Sequence, residues 1–160
     1  MMEKPSLTQD YKEFIELLNS HRVDYLVIGG WCLAFHGEPR LTGDLDIWIR
    51  RTPNNAEKVE TVINAFGFAN VKPPLTKEIF LQPNQIIQLG YKPNRIDILT
   101  DLSSLSFDRA WTSRNEITVG DIRLVFLDRE SLIASKRAAG REQDLRDIRV
   151  LEQTRAKKQS

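Results

Sequence analysis

The feature that most constrains the fold is the segment of residues 27–49, VIGGWCLAFHGEPRLTGDLDIWI. An apolar strand runs directly into Gly29 and Gly30, and Asp44 and Asp46 follow in a second apolar strand with one leucine between them. Because side chains alternate across a strand, both aspartates are predicted on one face and the aliphatic residues on the other. Packing alone does not account for two carboxylates in a core strand.

The composition indicates an ordinary globular protein. The 160 residues are 41% hydrophobic and 28% charged, which predicts one domain over residues 1–160, with a core over residues 10–153 and a basic tail at 154–160. The net charge of +1, from 23 basic and 22 acidic residues, predicts no extended nucleic-acid surface. We expect a cytoplasmic protein with no membrane partner, because the sequence has no bilayer-length apolar run, no signal-peptide core and a single cysteine.

Hydrophobic periodicity predicts an α/β (α+β) fold, with a small mixed β-sheet flanked by helices. Amphipathic patterns predict helices over residues 8–22, WCLAFHG, NNAEKVETVINAFGF, RESLIASKRAA and REQDLRDIRVLEQ. The run DYLVIGG predicts a buried strand from Tyr25 to Ile28. Alternation predicts strands at DLDIWIR and NRIDILT, and EITVGDIRLVFL is predicted to be a hairpin that turns at Gly120 and Asp121. The proline-rich residues 69–94 predict irregular chain around one or two short strands, EIFLQ and QIIQLG.

Capping and periodicity predict several local features. Asn54 or Asn55 is predicted to cap the third helix, and Asp128 to cap the helix that ends at Gly140. Trp48 shares the aspartate face and is interpreted as a packing residue, with a place beside a pocket as the alternative. The last helix is predicted to turn three residues inward: Leu145, Ile148 and Leu151. Its charged residues are interpreted as support within the helix: Arg141, Asp144, Arg146 and Asp147.

A third carboxylate, Asp97, lies in RIDIL, which repeats the apolar–aspartate–apolar pattern around Asp46. If the two strands are neighbours, Asp44, Asp46 and Asp97 share one face. Like charges repel on such a surface unless a divalent cation lies between them, and oxygen ligands favour Mg²⁺ or Mn²⁺. Three carboxylates suit two ions about 3.5–4 Å apart, as in phosphoryl transfer. The alternative is a solvated sheet face without metal.

The glycine pair is a candidate phosphate cradle. Gly29 and Gly30 follow a buried strand and open a helix, where unpaired backbone amides favour anions. The alternative is a plain tight turn. A dinucleotide fingerprint is excluded, because Trp31 and Ala34 stand where G-x-G-x-x-G requires glycine.

The combination of these features is more specific than any one of them. An apolar strand, Gly29 and Gly30, then Asp44 and Asp46, then a later Asp97 resemble the pattern of the DNA polymerase β-like nucleotidyltransferase superfamily. The strings YLVIGGWCLAFHGEPRLTGDLDIWI and SKRAAGREQDLRDIRVLE are similar to its small stand-alone bacterial branch, near the minimal nucleotidyltransferases and the abortive-infection nucleotidyltransferase toxins. The resemblance implies the nucleotidyltransferase fold. It also implies Mg²⁺-dependent transfer of a nucleoside monophosphate from an NTP to a hydroxyl acceptor, with release of pyrophosphate.

The resemblance further implies roles for individual residues. Backbone amides of Gly29 and Gly30 would hold the NTP phosphates. Asp44 and Asp46 would ligate two Mg²⁺ ions, and Asp97 would complete one metal site and help to deprotonate the acceptor hydroxyl. Further candidates for triphosphate contacts are Arg40, Thr42 and Lys136. For the two cationic side chains, the alternative is an ordinary solvated position.

Three functions stay open for this chain. The first is nucleotidyl transfer to an unidentified acceptor. The second is an antitoxin-like or regulatory binding module that keeps the fold and acts through a toxin-like partner protein, because 160 residues leave little beyond a catalytic core. The first two are compatible, since some relatives of this kind nucleotidylate a partner protein. The third is an antibiotic-modifying enzyme, with residues 69–93 and the C-terminal helices as the acceptor wall or an acceptor site formed across a dimer.

Overall fold

A six-stranded mixed β-sheet forms the centre of the computed structural model, which describes residues 7–37 and 43–159, with side chains up to residue 154. Its strands are β1 (Tyr25–Ile28), β2 (Leu45–Ile49), β3 (Ile86–Leu89), β4 (Ile96–Leu99), β5 (Asn115–Val119) and β6 (Ile122–Phe126). They lie side by side in the order β3-β4-β2-β1-β6-β5. The mixed sheet confirms the predicted fold class.

Seven helices accompany the sheet in the described residues. They are α1 (Gln9–Ser20), α2 (Gly29–His36), α3 (Pro53–Ile63), α4 (Lys77–Leu81), α5 (Phe107–Thr112), α6 (Arg129–Ala139) and α7 (Glu142–Gln159). A π-helical turn, Asn64–Phe68, follows α3 and contains Gly67 at φ 111°. No helix in the described part of the chain combines the length and the apolar character needed to cross a membrane.

The central strands determine where the aspartates lie. β2 pairs with β1 in antiparallel and with β4 in parallel orientation. The register places Asp46 directly beside Asp97, and Ile28 beside Asp46 on the other side. Because paired residues project to the same face of a sheet, the two carboxylates are neighbours. The two aspartate strands are therefore neighbours, which was the condition for a shared carboxylate face.

The apolar residues of these elements form one core. All four residues of β1 are buried, and α1 buries its predicted stripe of Tyr11, Phe14, Ile15 and Leu18. The apolar face of β2 is buried as the alternation predicts. Both predicted ends of α6 are confirmed. The Asp128 side chain accepts a hydrogen bond from the Ser131 amide, and Gly140 ends the helix in the left-handed region.

Two predictions between β2 and β3 are wrong. EIFLQ is not a strand, because Lys77–Leu81 forms the short helix α4, which packs on α3 and buries Phe80. The cap of α3 is Thr52, with Pro53 at the first helical position, and neither Asn54 nor Asn55. The Asn55 side chain is buried and bonds instead to the backbone of residues 24 and 50. A buried tertiary role therefore replaces the capping role for that asparagine.

Helix α7 differs from its predicted pattern. Ile148 and Leu151 are buried, but Leu145 is 46% exposed and does not face the core. Asp144 and Asp147 are buried in its place, so the buried stripe of this helix carries two carboxylates. Their partners include side chains outside α7, and support within the helix is only part of their role.

The segment between β4 and β5 contains a helix that periodicity did not indicate. Ser106 caps α5, and Phe107 of that helix packs edge-to-face on Trp48 at 5.0 Å between ring centroids. Trp48 is only 1% exposed. Its interpretation as a packing residue is therefore confirmed, and Trp48 also lines a cleft together with Arg50 and Phe107.

Candidate active site

Three aspartates converge at the start of β2 and β4. Asp44 precedes β2, Asp46 is its second residue, and Asp97 is the second residue of β4, paired with Asp46 in the register. Asp97 is 8% exposed, and the other two are half-buried. The structure therefore brings together all three carboxylates that the sequence singled out.

Arg95 is the cation that faces these carboxylates. Its Nη2 lies 2.9 Å from Asp44 Oδ2, and its Nε donates to Asp97 Oδ1 at 2.8 Å. Nη2 also donates to Asp97 Oδ2 at 3.2 Å, so the fork of the guanidinium holds Asp97 through two bonds. Arg95 thus bridges the strand that carries Asp97 to the residue that precedes β2. We name Asp44, Asp46, Asp97 and Arg95 the carboxylate cluster.

Asp46 carries the excess negative charge of the carboxylate cluster. Burial, then the charge of Asp97 and a hydrogen bond with it, and then the charge of Asp44 raise the pKa of Asp46 to about 7, and Arg95 opposes the shift. One guanidinium therefore does not neutralise three carboxylates.

The glycine turn lies against Asp46. Gly29 begins α2 with φ +67°, a conformation that favours glycine, and a Cβ at this position would lie 2.1 Å from Asp46 Oδ2. No side chain caps the first turn of α2, whose N-cap is Ile28. The amides of a helix N-terminus therefore adjoin a carboxylate of the cluster, and glycine is required for that approach.

Two aromatic residues hold the chain just before Asp44. The Tyr11 hydroxyl lies 3.2 Å from each of the carbonyl oxygens of Gly43, Pro93 and Arg95 and donates to them. The Trp31 indole Nε1 donates to the Gly43 carbonyl at 3.3 Å. Burial, followed by the charge of Asp44, raises the pKa of the Tyr11 hydroxyl. The hydroxyl therefore stays a donor at neutral pH.

The donor set of the carboxylate cluster suits a hard divalent cation. Its three acidic side chains offer only oxygen ligands, which favour Mg²⁺ or Mn²⁺. The raised pKa of Asp46 reflects burial and nearby negative charge, which a bound cation would neutralise. Within residues 7–37 and 43–159, no group of three or more His, Cys, Asp or Glu side chains is already arranged as a metal site. The Arg95 guanidinium lies between Asp44 and Asp97 and contacts both carboxylates.

Lys136 lies in a separate cluster between α6 and α7. Its Nζ is 2.8 Å from Asp147 Oδ2 and 3.8 Å from Asp144 Oδ1, and its side chain is 14% exposed. Arg141 also pairs with Asp144, with Nε 2.7 Å from Oδ2. A triphosphate contact by Lys136 stays a prediction, and it would require Lys136 to leave Asp147. The other two predicted triphosphate residues, Arg40 and Thr42, lie outside the described residues.

Sequence reasoning missed Arg95, Tyr11 and Trp31 as parts of this site. Arg95 stands two residues before Asp97 in NRID, so the alternation rule could have placed both on one face. Tyr11 had no comparable signal, because its carbonyl partners are 32, 82 and 84 residues away. Periodicity indicates that its ring is buried but says nothing about its hydroxyl.

Comparison with solved structures identifies the fold. A proposed nucleotidyltransferase from Thermotoga maritima matches with a TM-score of 0.58 at 16% identity, over 86% of each chain. The lincosamide antibiotic adenylyltransferase LnuA, solved with lincomycin bound, matches with a TM-score of 0.54 at 16% identity, over 92% of this chain and 98% of the other. An antigenic nucleotidyltransferase-like protein from Paracoccidioides brasiliensis matches with a TM-score of 0.52 at 14% identity, over 91% and 77%.

Sequence comparison adds nothing to these likenesses. No protein-family model matches the chain, and no curated protein matches it. The identities of 14–16% show a shared fold and leave activity to be argued from the site itself. This chain has the nucleotidyltransferase fold, as the resemblance of its glycine and aspartate motifs implied.

Proposed function

We propose that this chain is a Mg²⁺-dependent nucleotidyltransferase, acting in the cytoplasm, that transfers a nucleoside monophosphate from an NTP to a hydroxyl acceptor. One observation carries the proposal. Among the described residues, three carboxylates share a single guanidinium, directly beside a helix N-terminus whose first residue has no room for a side chain. The unbalanced charge and the uncapped amides together suit a metal-bound triphosphate.

The N-terminus of α2 would bind the phosphates. Its amides at Gly29 and Gly30 receive no side-chain cap, and the positive end of the helix dipole favours an anion there. Neither glycine offers a hydroxyl, so the contacts would be made by the backbone alone. Arg40 and Thr42 are proposed to add contacts from the segment that leads into β2. Lys136 would add one after exchanging Asp147 for a phosphate oxygen.

The carboxylates of Asp44, Asp46 and Asp97 would hold Mg²⁺, with two ions as the proposed number and Mn²⁺ as the alternative metal. When bound, the metal neutralises charge on the triphosphate and on the attacking and leaving oxygens. Arg95 would then lose its ion-pair partners to the metal and be released toward the phosphates. Since carboxylate positions are fixed by paired strands, the chain contributes mainly orientation and electrostatics.

The chemical step is an in-line substitution at the α-phosphorus. The acceptor oxygen forms a bond to that phosphorus, the bond to the oxygen that bridges the α- and β-phosphates breaks, and pyrophosphate leaves with the electron pair. The proton of the acceptor hydroxyl passes to Asp97, which is 8% exposed and lies beside Asp46. Asp97 is proposed for this role because the resemblance of its motif implies that it helps to deprotonate the acceptor hydroxyl.

The size of the chain does not exclude a small-molecule acceptor. LnuA, which is named for adenylylation of lincosamide antibiotics, is covered over 98% of its length by this chain. A fold neighbour of comparable extent therefore acts on an antibiotic without a further large domain. We propose a hydroxyl compound or a hydroxyl side chain of a partner protein as the acceptor class.

A second function is favoured by one observation. Arg95 already pairs with Asp44 and Asp97 through three contacts, so two of the three carboxylates have a cationic partner that is not a metal. An antitoxin-like or regulatory module that keeps the fold and acts through a partner protein would need no more than this arrangement. Metal-dependent nucleotide binding distinguishes the two functions, since only the enzyme requires it.

The proposed activity is tested by incubating the protein with each α-³²P-labelled NTP, Mg²⁺ and candidate acceptors, and by measuring labelled product and released pyrophosphate. The Asp46→Ala variant is expected to lose transfer by about a thousandfold or more, because it removes a ligand of the metal that stabilises the transition state. The matched control is Asp121→Asn, which removes an exposed carboxylate from the β5–β6 turn. An Asp46→Ala variant that stays as active as the parent would refute the mechanism.

A further inference from the structure

We propose that Tyr11 is a positioning residue of the carboxylate cluster, and that its hydroxyl together with the Trp31 indole fixes the backbone from which Asp44 and Asp97 project. The proposal rests on the proposed function, since it concerns how the ligands of the metal are held. Nothing in the aspartate and glycine motifs indicates it, because Tyr11 lies in α1, outside both.

The hydroxyl of Tyr11 joins two separate segments of chain. One of its carbonyl partners, Gly43, immediately precedes Asp44, and the other two, Pro93 and Arg95, precede Asp97. All three oxygens lie 3.2 Å from the hydroxyl, which shares one proton among them. A single group therefore ties the start of β2 to the start of β4.

The same two segments are joined a second time by the backbone. The Leu45 amide donates to the Arg95 carbonyl at 3.1 Å, where the parallel pairing of β2 and β4 begins. The Arg95 carbonyl is thus shared by the first residue of β2 and by Tyr11. A shift of this carbonyl would move the Arg95 side chain and the strand that carries Asp97.

Trp31 extends the connection to the glycine turn. Its indole donates to the Gly43 carbonyl at 3.3 Å, and its ring packs edge-to-face on Tyr11 with 6.2 Å between centroids. Trp31 lies in the first turn of α2, two residues after Gly29. The Gly43 carbonyl therefore receives donors from both aromatic residues, and the proposed phosphate turn and carboxylates share one rigid support.

Core packing does not require the Tyr11 hydroxyl. Tyr11 is 1% exposed in the apolar stripe of α1, where phenylalanine would fill the same volume. The hydroxyl is buried near the carboxylate cluster, and burying a polar group is unfavourable unless it is well bonded. Its hydrogen bonds to three carbonyls at the site account for the hydroxyl, whereas packing does not. Reacting groups displaced by about 1 Å lose much of their rate, so such support matters for transfer.

The test compares Tyr11→Phe with Tyr25→Phe. Tyr25 is also 1% exposed, and its hydroxyl also bonds within the fold, to Asn19 Oδ1 at 2.9 Å. Tyr25 pairs with Ile49 at the other end of β2, so its hydroxyl does not support the aspartates. Both variants lose one buried hydroxyl, and an effect confined to Tyr11→Phe cannot be a general loss of stability.

Two measurements are made on each full-length variant: Mn²⁺ affinity by calorimetric titration, and hydrogen exchange of the Leu45 amide by NMR in metal-free buffer. Tyr11→Phe is expected to bind Mn²⁺ about three- to tenfold more weakly and to exchange Leu45 about three- to tenfold faster, from the loss of one buried hydrogen bond. Tyr25→Phe is expected to match the parent in Mn²⁺ affinity and in Leu45 exchange. Its unfolding temperature is expected to fall by about as much as that of Tyr11→Phe. Trp31→Phe is expected to weaken Mn²⁺ binding in the same direction.

The outcomes separate this proposal from the proposed function. A parent protein that binds Mn²⁺, with Tyr11→Phe unchanged in affinity and in Leu45 exchange, would overturn the positioning role and leave the proposed function standing. Equal weakening by Tyr11→Phe and Tyr25→Phe would also overturn it, since the effect would then be general. A parent protein that does not bind Mn²⁺ would refute the proposed function, and the positioning role with it.

Discussion

Two clusters of carboxylates in this molecule differ in their charge balance. In the carboxylate cluster at the start of β2 and β4, three aspartates share Arg95. In the second, which we name the α6–α7 cluster, Asp144 and Asp147 face Lys136 and Arg141. The two clusters differ in the ratio of acidic to basic groups, and the Arg141 side chain of the second is 78% exposed.

The pKa directions also differ between the two clusters. In the α6–α7 cluster, the hydrogen bond from Arg141 lowers the pKa of Asp144. In the carboxylate cluster, burial and the neighbouring carboxylates raise the pKa of Asp46 to about 7. A balanced cluster joins two helices, whereas an unbalanced one costs stability until a cation arrives. The comparison teaches that uncompensated charge, not the number of acids, marks the site in this fold.

The largest expected effect comes from removing a cation from the α6–α7 cluster. Lys136→Met removes the cation that contacts both buried carboxylates, and we expect the free energy of unfolding to fall by about 3 kcal/mol, since a buried pair loses one partner. Added Mg²⁺ should restore little of this loss. The measurement is urea denaturation with and without Mg²⁺.

The matched variant in the carboxylate cluster is Arg95→Met. It is also expected to destabilise the metal-free protein, because three carboxylates then lose the cation that they have in the described part of the chain, but saturating Mg²⁺ should restore its stability by binding only the folded state. Mg²⁺ rescue of Lys136→Met and not of Arg95→Met would contradict the distinction between the two clusters.

The next effect concerns pH in metal-free buffer. The folded pKa of Asp46, about 7, lies above its ordinary value of 3.8, so the folded state binds this proton more tightly. The resulting stabilisation is complete below about pH 4 and is lost as the pH rises through 7. Asp46→Asn has no such proton. As the pH rises from 5 to 8, we therefore expect its free energy of unfolding to increase by about 2 kcal/mol relative to that of the parent.

The measurement for Asp46→Asn is urea denaturation in chelator at several pH values. Asp121→Asn is the control, because its carboxylate is exposed in the β5–β6 turn, and its difference from the parent should stay flat. A difference for Asp46→Asn that stays constant from pH 5 to pH 8, or that moves in the opposite direction, would show that Asp46 carries no excess charge.

The smallest expected effect comes from glycine-to-alanine variants, which separate backbone strain from a collision with Asp46. Gly29 and Gly120 have nearly equal φ, +67° and +65°, but only a Cβ at Gly29 would collide with Asp46, at 2.1 Å from Oδ2. Alanine at either position should cost about 1 kcal/mol of stability through strain. Gly29→Ala alone should also weaken Mn²⁺ binding, by about tenfold, because Asp46 must move. Mn²⁺ affinity is measured by calorimetric titration. Equal affinity in both variants would contradict the claim that a Cβ at residue 29 displaces Asp46.

Much of the site could be predicted because it depends on local rules. The alternation in DLDIWI and RIDIL places each aspartate opposite the aliphatic residues, and the register confirms that Asp46 and Asp97 are neighbours. The positive φ of Gly29 follows from the need to turn directly from a strand into a helix. These features require only residues within a few positions of one another.

The remaining features depend on tertiary contacts that local patterns do not encode. Tyr11 reaches carbonyls 82 and 84 residues away, and Lys136 reaches Asp147 on another helix. EIFLQ alternates well enough for a strand, but burial of Phe80 against α3 favours a helix there. Leu145 is turned outward because Asp144 and Asp147 take the buried face of α7.

The most direct test of the central claim is calorimetric titration of the full chain with non-hydrolysable analogues of the four NTPs, with Mg²⁺ and with chelator, beside the Asp44→Asn/Asp46→Asn variant. The account predicts binding of at least one analogue by the parent only with Mg²⁺, and none by the variant, whose fold is checked by circular dichroism. Absence of binding by the folded parent with every analogue, or equal binding by the variant, would contradict the claim that the unbalanced carboxylates form a metal–nucleotide site.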